Sequence, residues 1–478
     1  MMSNPTTGTS LTTRPNSFAI HDDDQHDDAL LGTQDTDMME TSDEKEVQYR
    51  NRQPDPTSEV EAEDDAVSDS SEDEPIDINV QIDMDKLQEV FPSFQQNYRL
   101  IKRIGEGTFS TVYKAEDLRY ESYANSWDLS NPSQNTQWSP PPIKRGASST
   151  SSKQNKPRYV AIKKIYVTSS PQRILNELEL LYELRDCATV CPLITAFRST
   201  DQVVAILPYF AHDDFRNYFR QMTVPDIRIY FRSLFSALAY VHKAAIIHRD
   251  IKPTNFLYDP VAQRGVLVDF GLAEREFVDY KHCMCVDDAD QRATKLHNSV
   301  GIKTGPHRGY PRNDTRPSRR ANRAGTRGFR APEVLFKCTA QSCKIDVWSV
   351  GVILLTIMTR RFPFFNSADD VEGMIELSTL FGAKRMKQAG LLHGVMLETD
   401  IPTIGASGFT LARIVLWSTC KTAPGQKLSD EEQLAIKFLE RCLDLDPNTR
   451  ISAREALGHE FLTEPIDEME EALDLVQV

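Results

Sequence analysis

The chain of 478 residues lacks a long apolar run. Its longest, Val347–Met358, is interrupted by Ser349, Gly351 and Thr356, well short of the roughly 20 apolar residues a bilayer-crossing helix needs. That stretch therefore predicts a buried helix rather than a membrane span. Basic residues are scarce at the start: residues 1–95 carry 25 Asp/Glu against 5 Lys/Arg, with few aromatics and no sustained apolar period. Such a composition cannot offset the entropy of ordering and predicts a disordered acidic tail, taken as residues 1–94. The whole chain is at −15, so with the first 95 residues at −20 the remainder lies near +5. Cysteine is sparse as well. The eight thiols (187, 191, 283, 285, 338, 343, 420 and 442) are scattered, which excludes a disulfide-stapled small domain and predicts reduced thiols. No secretory signal precedes the acidic segment, and a soluble protein of the cytosol or nucleus is expected.

What is present is a dense set of phosphoryl-transfer motifs. His248-Arg249-Asp250-Ile251-Lys252-Pro253-Thr254-Asn255 is followed by Asp269-Phe270-Gly271. In the template these residues match, Asp250 accepts the proton of a substrate hydroxyl, Lys252 steadies the transferring phosphate, and Asn255 and Asp269 hold magnesium. Upstream, Gly105-Glu106-Gly107-Thr108-Phe109-Ser110 separates two β-like runs, Tyr98–Ile104 and Thr111–Lys114, as a phosphate-covering hairpin requires. Gly105 and Gly107 let the backbone approach a nucleotide, and Ser110 stands where a third glycine is usual. Val112 and Ala161 are expected to line the nucleotide pocket with Leu207 and Tyr209 of the hinge-like Leu207-Pro208-Tyr209-Phe210.

Val160-Ala161-Ile162-Lys163 lies in an apolar run, Tyr159–Val167, and offers Lys163 to the α/β-phosphates. Ser169-Ser170-Pro171 then predicts the start of a helix whose Ile174, Leu175, Leu178, Leu181 and Leu184 follow a 3.6-residue period. Of its two carboxylates, Glu177 is expected to pair with Lys163 and Glu179 to be solvated. Further on, Gly325-Thr326-Arg327-Gly328-Phe329-Arg330-Ala331-Pro332-Glu333 closes the activation segment. Glu333 is expected to pair with Arg450, and Asp346, opening the apolar helix, to anchor the catalytic loop; all three are structural assignments. The motif set resembles that of protein kinases, and in that family Lys252 at its position with Thr326 facing it implies serine/threonine rather than tyrosine specificity.

These motifs belong to one domain, residues 95–462, of α+β class: a bilobal protein kinase fold with a small β-rich lobe and a large helical lobe. The excess length falls in three insertions, about residues 119–157, 272–324 and 366–418, and in a second acidic tail, 463–478. The first insertion is rich in Ser, Asn and Pro and reads as a flexible excursion. In the third, Val371–Phe381 reads as helix and Ile401–Gly408 as loop. Within the second, Lys303, Arg308, Arg312, Arg316, Arg319, Arg320, Arg323, Arg327 and Arg330 are opposed only by Asp314, a net +8 between Ile302 and Arg330. A solvated loop and a nucleic-acid patch both remain open, but a surface that attracts acidic or phosphorylated residues beside the target hydroxyl is the sharper reading, with Arg327 and Arg330 reading the substrate. His282-Cys283-Met284-Cys285, with His297 beyond it, offers metal-binding atoms without the C-x2-C spacing of a structural zinc site, so metal binding there stays open.

The kinase motifs, the short link from Lys163 to Glu177, the hinge and Arg323-Ala324-Gly325-Thr326-Arg327-Gly328-Phe329-Arg330-Ala331-Pro332-Glu333 resemble the cell-division-cycle-seven kinases over about residues 95–462. Insertions at the same three places support the match. The resemblance implies ATP and Mg2+ as cofactors and an activating regulatory subunit without which the chain is poorly active. It also implies acidic Ser/Thr substrates in the minichromosome-maintenance helicase at replication origins, and work in the nucleus, without sequence-specific DNA binding. Competing readings are a partner-independent, acid-directed kinase of the casein-kinase-II kind and a pseudokinase scaffold; the latter sits poorly with a complete set of Lys163, Glu177, Asp250, Asn255 and Asp269.

Overall fold

The computed structural model describes residues 20–22, 76–107, 109–123, 125, 158–276, 282–299, 302–303, 319–421, 423 and 425–464. Most of the first insertion and the basic residues between 304 and 318 lie outside this set, as does the second acidic tail after residue 464.

Six strands form the sheet of the small lobe: β1 (Ile20–Asp22), β2 (Tyr98–Glu106), β3 (Ser110–Asp117), β4 (Tyr159–Ile165), β5 (Thr195–Ser199) and β6 (Gln202–Pro208), in the order β1-β5-β6-β4-β3-β2. All neighbours are antiparallel except β1, which runs parallel to β5 with Ile20 opposite Ala196. The central strands are apolar on both faces because both faces are covered. Val160 and Ile162 of β4, with Val204 and Ile206 of β6, pack on one side; Ile165, Val203 and Ala205 pack on the other, with the core that continues into the large lobe. This alternation is the period of two expected of a strand.

The first face is covered by a helix, α1 (Ile78–Val90), and a short turn of helix, α2 (Phe94–Asn97). Val80, Met84 and Leu87 of α1, followed by Phe91 and Phe94, are buried against Tyr98, Tyr113 and Val160. This corrects the boundary at residue 95: the acidic segment read as a tail over residues 1–94 contributes strand β1 and the stretch from Ile76 onward to the folded domain. The apolar positions recur four and three residues apart, but the intervening Asp83, Asp85 and Glu89 dilute the signal in a window already rich in carboxylates. The first insertion is also shorter than its composition indicated, since Tyr120 is buried, Asn125 donates to its carbonyl at 2.7 Å, and Arg158 lies 5.1 Å over its ring.

Helix α3 (Pro171–Glu183) begins at Ser170, whose hydroxyl accepts from the Arg173 amide, with Pro171 in the first turn where its missing N–H costs nothing. Ile174, Leu178, Leu181 and Leu184 are buried as their spacing predicts, while Leu175 faces out and Leu180 takes an inward position. The large lobe is built around the helix Lys344–Thr359, in which every residue from Ile345 to Thr359 is buried. A second long helix, Val224–Lys243, is started by a reciprocal cap between Thr223 and Asp226. The third insertion contributes helices Asp370–Phe381, Ala383–Leu392 and Leu411–Ser418, with a loop over residues 401–408. Leu377, Leu380, Phe381, Met386 and Ala389 join the main core, so much of this insertion is part of the lobe. No helix among the described residues is long and apolar enough to cross a membrane.

If α1 is an integral layer of the small lobe, Leu87→Ala destabilises the chain by about 2–5 kcal/mol. Ile78→Ala, at a position 74% exposed, changes stability by under about 0.5 kcal/mol. Chemical denaturation of the two variants checks this, and equal effects would detach α1 from the fold.

Candidate active site

The sheet register builds the nucleotide side of the cleft. Gly105 lies opposite Val112, Val112 opposite Lys163, and Lys163 opposite Ala205, while Ala161 lies opposite Leu207. Because side chains alternate along each strand, Val112, Ala161, Lys163 and Leu207 share the face turned away from α1. Tyr209 follows β6, its ring edge-on to Tyr159 with centroids 6.1 Å apart. The Gly107 amide closes the hairpin turn onto the Ser110 carbonyl at 2.9 Å. Ser110 itself opens β3 and pairs with Ile165, an extended position that needs no glycine.

Lys163 Nζ donates to Glu177 Oε1 at 2.6 Å and to Asp269 Oδ1 at 2.8 Å, and Glu179 is exposed. Burial alone would lower the Lys163 pKa; the Asp269 and Glu177 carboxylates outweigh it and raise the ammonium above the ordinary lysine value. The surrounding protein likewise pushes the Asp269 carboxyl up, and Lys163 more than reverses this, holding it at about 2. Helix α3 is fastened from below by two contacts within the chain: Asn176 Nδ2 donates to the Ala273 carbonyl at 2.9 Å, and Arg275 pairs with Glu183. No clamp for this helix is evident in the sequence. Asn176 is adjacent to Glu177, but nothing local identifies the carbonyl it meets.

The catalytic loop is shaped by Asp346. Its two carboxylate oxygens accept the His248 and Arg249 amides, each at 2.8 Å, and His242 Nε2 lies 2.9 Å away. Burial pushes this carboxyl up, but the contacts from His242 and His248 prevail and hold it below the usual range. The anchor keeps Arg249 at a φ of 69°, a left-handed backbone that costs a non-glycine residue roughly 1–3 kcal/mol. The Arg249 side chain is met by Glu274 and by Gln341 Oε1 at 2.8 Å. Asp250 Oδ1 accepts from the Thr326 amide at 2.8 Å and hydroxyl at 2.6 Å, and its Oδ2 accepts from Asn255 Nδ2 at 3.0 Å. Lys252 Nζ stands 3.6 Å from Asp250 Oδ2. Thr326 reaches this position because Gly325 precedes it with a φ of 116°; a Cβ there would come within 2.5 Å of the Arg249 carbonyl oxygen.

Past Thr326, Glu333 and Arg450 form a two-bond fork, Nη1 to Oε1 at 2.6 Å and Nη2 to Oε2 at 2.9 Å, with both side chains buried. Arg450 also donates to the Lys344 carbonyl at 2.7 Å and lies 5.1 Å over the Trp348 ring. The basic strip is less free than its composition indicated. Arg323 and Arg330 both bind the carboxylate of Asp370, Arg330 Nη1 to Oδ1 at 2.6 Å. Arg319 turns inward to the His393 carbonyl at 2.6 Å. Arg327 remains exposed. The suggested grouping of His282 and His297 with the Cys283-Met284-Cys285 thiols does not form: His282 Nε2 pairs with Asp287 Oδ1 at 2.6 Å, and His297 is exposed on the helix Ala289–Asn298. His242, Glu274 and Gln341 were missed because their partners are distant in sequence.

A glycine hairpin over a lysine–glutamate pair, facing an aspartate held by an asparagine and a threonine, defines a protein kinase. The protein kinase domain family matches residues 144–289 and 309–462. The chain is 49% identical over 388 residues to the cell cycle serine/threonine-protein kinase hsk1 of Schizosaccharomyces pombe, covering 80% of this chain and 75% of that one. It is 40% identical over 387 residues to the cell cycle protein kinase spo4 of the same organism, covering 79% and 87%. A probable cell division control protein 7 homolog of Encephalitozoon cuniculi is 38% identical over 366 residues, covering 76% and 91%. The chain is a serine/threonine protein kinase, and it belongs to the cell-division-cycle-seven type.

The buried fork yields a measurable expectation. Glu333→Gln leaves the Arg450 charge unpaired and is expected to cost about 3–5 kcal/mol of stability, whereas replacing both residues by apolar ones of similar volume recovers most of that loss. Thermal or denaturant unfolding of the three proteins checks it; a double variant as unstable as Glu333→Gln would show that the fork's geometry, not charge burial, sets the cost.

Proposed function

We propose that the chain transfers the γ-phosphate of magnesium-bound ATP to Ser or Thr hydroxyls flanked by acidic or phosphorylated residues. Asp269, kept ionised by Lys163, and the Asn255 amide offer the hard oxygen donors that Mg2+ prefers. When bound, magnesium neutralises charge on the transferring phosphate. The chain's own residues do the rest: Lys163 meets the α/β-phosphates and the Gly105–Gly107 hairpin covers them. Asp250 Oδ1 already accepts two hydrogen bonds from Thr326, so Oδ2, which accepts one from Asn255, is the oxygen that receives the hydroxyl proton, with Lys252 beside it.

The observation that carries the acidic preference is the convergence of Arg323 and Arg330 on Asp370, next to exposed Arg327 in the segment between Thr326 and Glu333. Two guanidiniums already grip one carboxylate there, and a substrate carboxylate or phosphate would compete for them. Acidic tails of the minichromosome-maintenance helicase, met in the nucleus with a regulatory subunit, are substrates that fit this chemistry and the family. A second reading, partner-independent acid-directed catalysis, is favoured by one observation: Lys163 and Glu177 are joined and α3 is held by Asn176 and Arg275 within the chain. Turnover by the purified single chain at the level of its complex would select the second reading; turnover that appears only with a subunit selects the first.

Two outcomes test the core of the proposal. Asp250→Asn is expected to lower turnover about 100- to 10,000-fold with ATP affinity little changed, and near-normal turnover would remove Asp250 from its role. Replacing Arg323 and Arg330 together by Ala is expected to lower kcat/KM by about 10- to 100-fold for Ser-Asp, Ser-Glu and Ser-phosphoserine peptides, in line with about 1.5–3 kcal/mol per charge-assisted contact. Ser-Ala and Ser-Lys peptides should change little, and added salt should mimic the defect. Equal use of all five peptides by the unaltered chain would leave the arginines a purely structural role with Asp370.

A further inference from the structure

A buried cation of the small lobe has no part in the phosphate chemistry described above. Lys114 stands on β3, two residues beyond Val112 and therefore on the same face of the sheet. It lies opposite Ala161, which lies opposite Leu207; the neighbouring row is Val112, Lys163 and Ala205. The cleft face thus carries a lysine in each row: Lys163 in the row that reaches Gly105 of the glycine hairpin, and Lys114 in the row that runs into the hinge. Their surroundings differ. Lys163 meets two carboxylates, whereas the Lys114 ammonium sits 4.6 Å from the centre of the Tyr159 ring and 4.5 Å from that of Tyr209. Only 3% of Lys114 is exposed.

A lysine stem that covers apolar strand residues accounts for some of this burial, but such a side chain ordinarily carries its charge out to water. Here the charge stays inside, over two rings, where cation–π attraction is strongest because water is excluded. Tyr159 opens β4 and Tyr209 is the first residue past β6, so the ammonium joins β3 and β4 to the hinge. The next residue, Phe210, is held from the other lobe: the Arg264 guanidinium, on the strand Arg264–Leu267, lies 5.3 Å over its ring. Consecutive hinge aromatics are thereby pinned by cations from opposite sides.

We propose that Lys114 is a positioning residue for the nucleobase: by fixing Tyr209, it holds the hinge strand where its backbone amide and carbonyl groups meet the edge of adenine. The inference rests on the reading that the cleft binds ATP. A base in an apolar slot, here the one lined by Val112, Ala161 and Leu207, is recognised by a few accurately placed polar groups. A small displacement of the strand that carries them weakens the base and leaves the phosphates untouched. The two lysines then divide the nucleotide between them. Lys163 takes the phosphate end directly, and Lys114 sets the base end through Tyr209. Arg264, which is exposed, contributes less, because a cation–π contact open to water is weaker.

The test uses the full chain, with its regulatory subunit where turnover requires one, and Lys114→Met, which keeps the length of the side chain and removes its charge. KM for ATP is expected to rise about 5- to 30-fold, the upper figure matching the loss of a desolvated cation–π contact, with kcat little changed. The inhibition constant of adenosine should rise by the same factor, and that of pyrophosphate should not move. Arg264→Met should raise KM for ATP only about 2- to 5-fold. A second pair of variants keeps Lys114 in place: Tyr159→Leu removes one ring and should raise KM for ATP several-fold, whereas Tyr159→Phe keeps the ring and should leave it unchanged. An unaltered KM in both Lys114→Met and Tyr159→Leu overturns the proposal. So does a parallel rise for pyrophosphate, which would mark a general loosening of the small lobe. Failure of the unaltered chain to bind ATP is a different result: it removes the reading of the cleft, and this inference with it.

Discussion

The catalytic geometry depends on one buried carboxylate. Asp346 stands in the first turn of a helix with no exposed residue from Ile345 to Thr359, so its position is as fixed as the core itself. Two backbone amides of the catalytic loop end on it, and they hold Arg249 in the left-handed conformation that it would otherwise avoid. Only with that backbone in place can Asp250 turn toward Thr326 and Asn255 while the Arg249 side chain points the other way, to Glu274 and Gln341. Desolvating a carboxylate is expensive; here the cost is offset by three donors, and the result is a rigid platform for the reacting aspartate.

Other charges in the chain are satisfied in the same manner, each across a long sequence separation. Lys163 joins β4 to α3 and to Asp269, so that three elements must be correctly placed before the ammonium is fully partnered. Arg450 joins the end of the large lobe to Glu333 and thereby holds the base of the activation segment. Arg249 of the catalytic loop is met by the carboxylate of Glu274, which lies only a few residues after Asp269. The arginines from 319 to 330 are placed differently: Arg319 turns inward, Arg323 and Arg330 share Asp370, and Arg327 stays on the surface.

Several elements were legible in the sequence because their causes are local. Lys163 lies within a strand with the required alternation, Ser170-Pro171 starts a helix with a cap that needs only its own neighbours, and Asp250, Lys252 and Asn255 sit within one loop. The pairings of Glu333 with Arg450 and of Lys163 with Glu177 could also be read, since each member stands in a recognisable motif. Helix α1 could not: its inward residues Val80, Met84 and Leu87 are separated by carboxylates, and only the sheet face they cover distinguishes them from a solvated acidic segment. The same holds for Tyr120, whose burial depends on Arg158 and Asn125.

The sequence by itself determined the chemistry, because phosphoryl transfer demands particular side chains at short, fixed spacings, and those spacings survive in one dimension. It also determined the class of fold, since strand and helix periods and the order of the motifs leave little choice. Which charges are spent inside the protein and which stay on its surface is settled only by the tertiary structure. Asp370 meets Arg323 and Arg330 across the third insertion, and Asn176 meets Ala273 across the two lobes. Contacts of that kind follow from the packing of helices and loops that are remote in sequence, and no local pattern of residues encodes the distance between them.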